Sequence, residues 1–338
     1  MKGMKIIVIT SESNYAVGNL FVNSLKNLGH EVERFDLFKV RSTYEKGGWL
    51  GRKVNTFWPV EAWTRKANRE LAVFIQRFQP DYILISGDNP VQLGALAFAR
   101  SILPGLKVTL FWPDTLVNVS FSIAQLSPVI DTLASYSSTA MEQFKLMGFR
   151  HCVWLPFAGD IEFLGDTSKL NDSVKYKYDC SFVGGWRPER EHVLERIALS
   201  MPDISLRIIG PHWSKSVRNR DLVQFIDDVP KFGKEFGAFI RSSRINLNII
   251  DDTNYPAANM RFFEIPAAGG LQLSSACPEM ESVFIEGEHI FYYHHPDAIE
   301  DKMRYILSNP QIADQVRLQG HHYVRDQHTY IDRMKSIV

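Results

Sequence analysis

Two α/β domains, each a Rossmann-like, doubly wound parallel sheet, are predicted by three features of the sequence. The chain has 338 residues, more than one ordinary core requires and enough for two. Runs of β-branched residues alternate with helical stretches through both halves, and a strand-helix alternation builds a parallel sheet covered on both faces. Between the halves lies a polar stretch, Asp160 to Lys177, with little apolar periodicity, as an interdomain linker would have.

In the first half, strands are expected at Lys5–Thr10, Glu31–Leu37, Tyr82–Ser86, Val108–Trp112, Thr132–Ser135 and Cys152–Leu155. Each is a short apolar run ending in small or polar residues. Helices are expected at Val17–Leu28, closed by Gly29, and at Glu61–Phe78, Val91–Ile102 and Thr139–Met147. The alternation resumes after the linker with strands at Asp179–Val183, Ser205–Ile209, Ile245–Ile249 and Gly270–Leu273. Helices there fall near Arg190–Ser200, Lys234–Ser242 and Arg261–Ala268, and the tail from Asp297 reads as helical with breaks near Asn309-Pro310 and Gly320. The expected division is an N-terminal domain over 1–159, a linker over 160–177, a C-terminal domain over 178–315 and a helical tail over 316–338 that packs back on the first domain.

Composition excludes several classes. Lys+Arg and Asp+Glu each number 38, so no net field selects nucleic acid or a strongly acidic membrane, and any electrostatic partner must be met locally. With 45% hydrophobic and 22% charged residues the chain is of globular composition. Its three cysteines, Cys152, Cys180 and Cys277, form no CxxC pair and are expected to be reduced and structural. The apolar run Ile6–Ile9 is too short for a signal-peptide core or a membrane span. A cytoplasmic protein is expected, at most peripheral on the inner face of the membrane.

Two segments carry candidate binding chemistry. In Asn259-Met260-Arg261-Phe262-Phe263-Glu264-Ile265-Pro266-Ala267-Ala268-Gly269-Gly270, a helix places Arg261 and Glu264 on one face and runs into two glycines. The carboxylate could accept both hydrogen bonds of a ribose diol and the arginine could pair with a diphosphate; a surface ion pair and a glycine cap would look the same. In Asp179-Cys180-Ser181-Phe182-Val183-Gly184-Gly185-Trp186-Arg187-Pro188-Glu189-Arg190, a strand ends in Gly184 and Gly185, and a helix starts beyond Pro188. Free N–H groups, the helix dipole, Arg187 and Arg190 converge there as a phosphate cradle would require, although such turns often serve packing alone.

Phe182-Val183-Gly184, Arg190, Ser243-Arg244-Ile245-Asn246-Leu247-Asn248, Arg261-Phe262-Phe263-Glu264 with Gly269-Gly270, and Phe284-Ile285-Glu286-Gly287-Glu288 resemble, in order, the C-terminal half of CgeB-type, spore-maturation-protein-like glycosyltransferases. That family is similar to the retaining transferases of GT-B architecture, in which two Rossmann-like domains face each other across a cleft. The resemblance implies that the C-terminal domain binds a nucleotide-diphosphate sugar and the N-terminal domain the acceptor. It implies that Glu264 matches the ribose-binding glutamate and that Arg187, Arg190 or Arg261 faces the diphosphate, with Gly184, Gly185, Asn259 and Gly269 completing the donor site. The commoner pattern has a second glutamate about two turns before Glu264, where this chain has Pro256; the resemblance therefore does not assign the donor-sugar contacts or the stereochemistry.

The edge of the N-terminal sheet supplies the remaining candidates. Ser11–Gly18 follows the first strand, and Asp88 and Asp114 follow two others, so all lie where open α/β sheets bind ligands. Either aspartate could act as a base towards an acceptor hydroxyl if configuration inverts, and either could be an ordinary turn cap. No metal is expected: the chain lacks Asp-x-Asp, and the adjacent pairs Asp227-Asp228, Asp251-Asp252, His294-His295 and His321-His322 read as surface or cleft lining. Residues 49–66 interleave aromatics with Arg and Lys, which suits anionic lipid, sugar stacking, or packing beneath a long loop.

The resulting expectation is a metal-independent glycosyltransferase without a tightly bound cofactor. It would move a sugar from a UDP or GDP type donor to a glycan, lipid-linked or other cell-envelope acceptor in polysaccharide biosynthesis. The alternatives are a nucleotide-sugar epimerase on the same fold and an inactive binding protein.

Overall fold

The computed structural model describes residues 3–13, 16–57, 60–168, 170 and 175–338, without the side chains of Arg52, Asn55 and Thr56. Parts of three expected features, Asn14-Tyr15 in the first loop, Trp58-Pro59 in the aromatic stretch, and Lys169 with 171–174 in the linker, lie outside the described residues. The chain divides into two compact units, Met1–Pro156 with Arg333–Val338, and Phe157–Asp332.

The first unit holds a six-stranded sheet of β1 (Lys5–Ile9), β2 (Glu31–Phe35), β3 (Tyr82–Ser86), β4 (Lys107–Trp112), β5 (Thr132–Ser135) and β6 (Cys152–Trp154). The order is β2-β1-β3-β4-β5-β6. All pairings are parallel, with Ile6 opposite Val32 and Tyr82. Every residue of β3 is buried, as covering helices on both faces require. The helices Val17–Asn27, Glu61–Phe78 and Leu93–Ile102 follow the apolar periodicity. β2 stops at Phe35 instead of Leu37 because the Asp36 carboxylate accepts the Lys39 N–H at 2.9 Å and starts the helix Leu37–Ser42.

The second unit holds β7 (Tyr178–Val183), β8 (Leu206–Ile209), β9 (Ile226–Asp227), β10 (Ser243–Asn248), β11 (Gln272–Ser275) and β12 (Phe291–Tyr293). Its order is β12-β11-β10-β7-β8-β9, again all parallel. β9 and β12, two and three residues long, are edge strands too short for a period-two pattern to be read. The expected break at Gly320 is absent, and Pro310–Gln327 is one helix. A Cβ on Gly320 would stand 2.3 Å from the His289 carbonyl oxygen, so the glycine permits close approach within an intact helix.

The division between units falls at Pro156/Phe157 rather than after Gly159. Phe157 and Ala158 are buried, and the Gly159 N–H donates to His328 O at 2.9 Å within the second unit. Of the C-terminal tail, residues 316–332 belong to the second unit and only Arg333–Val338 to the first. There Arg333 Nε donates to Pro156 O at 2.9 Å and Tyr82 Oη donates to Ile337 O at 2.7 Å.

Candidate functional site

In the second unit the chain leaves β7 for β8 and β9 on one side and returns through β10 to β11 and β12 on the other. The carboxyl ends of β7 and β10 thus form a switch point, where loops diverge and leave a crevice for a ligand. The loop after β7 is Gly184-Gly185-Trp186-Arg187, and the helix Pro188–Ser200 follows, with Arg187 at its N-cap and Pro188 in its first turn. The N–H groups of Gly185, Arg187, Glu189 and Arg190 make no hydrogen bond with a described residue. Arg187 itself is exposed and forms no ion pair with one. Glu191 is turned away, accepting the Arg218 and Asn219 N–H groups and the Trp186 indole N–H at 2.6, 2.8 and 2.7 Å. Four free donors, a helix N-terminus and an arginine suit a multiply charged anion.

Arg190 does not stand beside Arg187 as a free cation. Its Nη2 donates to Asp251 Oδ2 at 2.7 Å, its Nη1 to Gly185 O at 2.9 Å and its Nε to Ile249 O at 3.4 Å. The guanidinium therefore ties the loop after β7 to the loop after β10. Burial pulls its pKa below the ordinary value while the Asp251 carboxylate opposes the change. Asp251 is only 4% exposed, which corrects its reading as a surface residue and leaves the one as cleft lining. Burial alone would raise its pKa, but hydrogen bonds from Thr253 and Asn254 together with the Arg190 charge hold it below the ordinary carboxylate range. His321 is likewise buried, its Nδ1 2.9 Å from Pro266 O. His294, His295, His322 and Asp252 are exposed.

The helix Met260–Ala267 starts at Asn259, whose Oδ1 accepts the Phe262 N–H at 3.1 Å while its Nδ2 donates to Asn248 Oδ1 at 2.9 Å, at the end of β10. Phe262, Phe263 and Ile265 are buried in the apolar layer, and Glu264 is 8% exposed on the same short helix. Arg261 Nη1 bonds to Glu264 Oε2, its Nε donates to Val183 O at 3.2 Å, and its guanidinium lies 4.3 Å from the Phe236 ring centroid. Glu264 is thereby held beside the end of β7, and its Oε1 has no hydrogen-bond partner among the described residues. A buried carboxylate with one open oxygen is an acceptor waiting for a donor.

Gly269 has a different place. With φ +81° it is the left-handed residue after the helix, donating to Pro266 O at 2.9 Å while Gly270 donates to Ile265 O at 3.0 Å, a Schellman motif. A Cβ there would stand 2.4 Å from Leu170, so Gly269 is packed into the unit and closes the helix that carries Glu264. Gly184 also contributes through its backbone, accepting the Trp213 indole N–H at 2.8 Å and donating to Ile209 O at 2.9 Å.

In the first unit, Asp88 follows β3 and Asp114 follows β4, and the Gly87 N–H at the end of β3 donates to Phe111 O of β4 at 2.8 Å. Asp114 uses both oxygens on its own turn, accepting the Thr115 N–H at 2.7 Å and Asn118 Nδ2 at 2.8 Å. Among the described residues Asp88 accepts only Ser120 Oγ, at 3.1 Å on Oδ1, and of the two it keeps an oxygen without a partner there. The buried Asn89, unnoticed in the sequence, bonds through Nδ2 to Ser86 O at 2.7 Å and Ile9 O at 3.4 Å and so joins the ends of β3 and β1. The Asn-Pro step after Asp88 was its only sequence signal. A separate groove of about 520 Å³ between the helices Glu61–Phe78 and Leu93–Ile102 is lined by Arg65 of the 49–66 stretch and by none of the candidate donor-site or catalytic residues. Among the described residues no three His, Cys, Asp or Glu side chains group as metal ligands.

Residues 187–338 match a family described as "Glycosyl transferase-like". Arg187, Arg190, Asn259, Arg261 and Glu264 all lie inside that span. No curated protein matches the chain. Among solved structures, a glycosyltransferase from Rickettsia africae is 13% identical with a TM-score of 0.67, covering 99% of this chain and 97% of that one. Anabaena HepE in complex with UDP is 11% identical with a TM-score of 0.64, covering 99% and 98%. Sucrose-phosphate synthase from Thermosynechococcus elongatus is 12% identical with a TM-score of 0.64, covering 99% and 97%. These likenesses show the fold, two parallel-sheet Rossmann-like units as in GT-B glycosyltransferases.

Proposed function

We propose that the protein is a glycosyltransferase whose second unit holds a nucleoside-diphosphate sugar, with Glu264 receiving the ribose hydroxyls and the Gly185–Arg190 turn receiving the diphosphate. The observation that carries this reading is Glu264: a nearly buried carboxylate, oriented by Arg261 at a sheet's switch point, with one oxygen open. A ribose diol presents two O–H donors to such a group, and charge-assisted hydrogen bonds in a partly dry site are strong. UDP is the first donor nucleotide to test because HepE was solved with UDP; GDP is the second.

Arg187 and the free N–H groups supply positive potential where a leaving diphosphate gains charge, which is the task a divalent ion performs elsewhere. With no Asp-x-Asp in the chain, we take the reaction to be metal-independent. The acceptor is a hydroxyl of a glycan or lipid-linked cell-envelope molecule, and Asp88 is the candidate base of the first unit if configuration inverts. Arg190 and Asn259 are positioning residues in this scheme, since their polar atoms are occupied by protein.

The test is thermal stabilisation by UDP, GDP, dTDP, ADP and CMP, with and without EDTA, for wild type, Glu264→Ala and Glu264→Gln. A nucleotide at one hundred times its dissociation constant stabilises by about 2.7 kcal/mol. Stabilisation by one diphosphate, unaltered by EDTA and much reduced in both folded variants, is the expected outcome. No stabilisation of folded wild type by any nucleotide would remove the reading.

A further inference from the structure

We propose that the helix Gly48–Phe57 is a membrane-docking element that lies in the headgroup layer of an anionic bilayer. The helix is inside out for a water-soluble protein. Trp49, Leu50, Val54 and Phe57 are 68%, 63%, 48% and 70% exposed, and none of its described side chains is buried. At 3.6 residues per turn these four positions fall within about 140° of arc. They form one apolar stripe facing solvent. Lys53 lies inside the same stripe, its Nζ 5.2 Å from the Trp49 ring, the arrangement in which an aromatic and a lysine stem enter an interface together while the ammonium stays wet. On another side Gly51 approaches the backbone closely, a Cβ there standing 1.8 Å from Lys46 O. The helix thus turns a small residue to its own chain and its large apolar residues outward.

Charge selects the partner. Between Lys46 and Arg69 there are six basic residues and one acid, Glu61, a net charge of +5 in a chain whose total is zero. Lys46, Lys53, Arg65, Lys66 and Arg69 are exposed. Lys53 within the exposed Trp, Leu, Val and Phe stripe, in a segment of net basic charge, complements an anionic lipid surface, where apolar insertion and electrostatic attraction add. At ten residues the helix is about 15 Å long, half a bilayer core, so it lies along the surface. No helix among the described residues is long and apolar enough to cross a membrane. This surface belongs to the first unit and does not depend on the nucleotide reading, and its assay contains no nucleotide.

The experiment is flotation of the full chain with vesicles of phosphatidylcholine alone and with vesicles in which a third of the lipid is phosphatidylglycerol. At low salt the anionic vesicles should recover at least about tenfold more protein, and the difference should shrink as salt rises through the physiological range. Trp49→Ser/Leu50→Ser/Phe57→Ser, all at exposed positions, should abolish recovery on both vesicles with an unchanged thermal midpoint. Lys46→Glu/Lys53→Glu should weaken recovery on the anionic vesicles about tenfold or more and leave phosphatidylcholine unaffected. No flotation, equal recovery on both vesicles, or a lipid-free dimer that the triple-serine variant dissociates would overturn the proposal.

Discussion

Arg190 Nη2 and Asp251 Oδ2 stand 2.7 Å apart, with side chains 13% and 6% exposed, and this pair joins the loop after β7 to the loop after β10. Sixty-one residues separate the partners. The pair closes one wall of the candidate site while the N–H groups of Gly185, Arg187, Glu189 and Arg190 stay free of bonds to described residues.

Removing one partner leaves the other charge buried and unmatched. Asp251→Leu is expected to destabilise the protein by about 3 kcal/mol, and Arg190→Met/Asp251→Leu by less than the sum of Arg190→Met and Asp251→Leu. Denaturant unfolding of the four proteins in a double-mutant cycle checks this.

The same pair predicts a pH dependence. Asp251 titrates below its unfolded value in the native state, so its contribution is complete above about pH 4, the unfolded carboxyl pKa. It is lost as pH falls through the lower native pKa. The stability gap between wild type and Asp251→Asn, measured by denaturation, should therefore be constant from pH 7 to about pH 5 and close below about pH 4.

Arg187 and Arg190 should separate in function. Arg187 is exposed and unpaired among the described residues, so Arg187→Ala is expected to weaken nucleotide diphosphate binding about tenfold while changing stability by under about 0.5 kcal/mol. Arg190→Ala should lower both. Calorimetric titration with UDP beside thermal melts distinguishes the two, and an Arg187→Ala protein that binds UDP normally would place the diphosphate elsewhere.

Gly269 tests the helix cap. At φ +81°, with Leu170 2.4 Å from a built Cβ, Gly269→Ala should cost about 2 to 3 kcal/mol through strain and overpacking. Adding Leu170→Ala should relieve the overpacking and leave the backbone strain of roughly 1 kcal/mol, so the double variant is expected to melt higher than the sum of the singles predicts.

The thiols give an orthogonal check. Burial pushes Cys277 up to about 12, and it pushes the fully buried Cys180 up strongly as well. At pH 8 a thiol of pKa about 12 is ionised in about one molecule in ten thousand. A thiol reagent should modify half-buried Cys152 first, and Cys180 and Cys277 only on unfolding. Fast native labelling of all three would contradict this packing.

What the sequence determined by itself is what local periodicity encodes. Alternating β-branched runs and helical stretches dictated two parallel sheets, and a three-residue spacing put Arg261 and Glu264 on one helix face, because both patterns are set by the geometry of a few neighbouring residues. The Gly-Gly-Trp-Arg-Pro run likewise marked a helix start whose N–H groups face outward from the strand. Tertiary structure decided the rest. Arg190 looked equivalent to Arg187 until a carboxylate from the loop after β10 claimed it, and Gly269 looked like part of the site until Leu170 packed against it. Gly320 looked like a break until the His289 carbonyl showed that close approach required it. Residues 49–66 could have been core or surface in the sequence, since an amphipathic stripe records only that one face is apolar. Which way that face points depends on what the fold places against it, and at Trp49, Leu50, Val54 and Phe57 the fold leaves it uncovered.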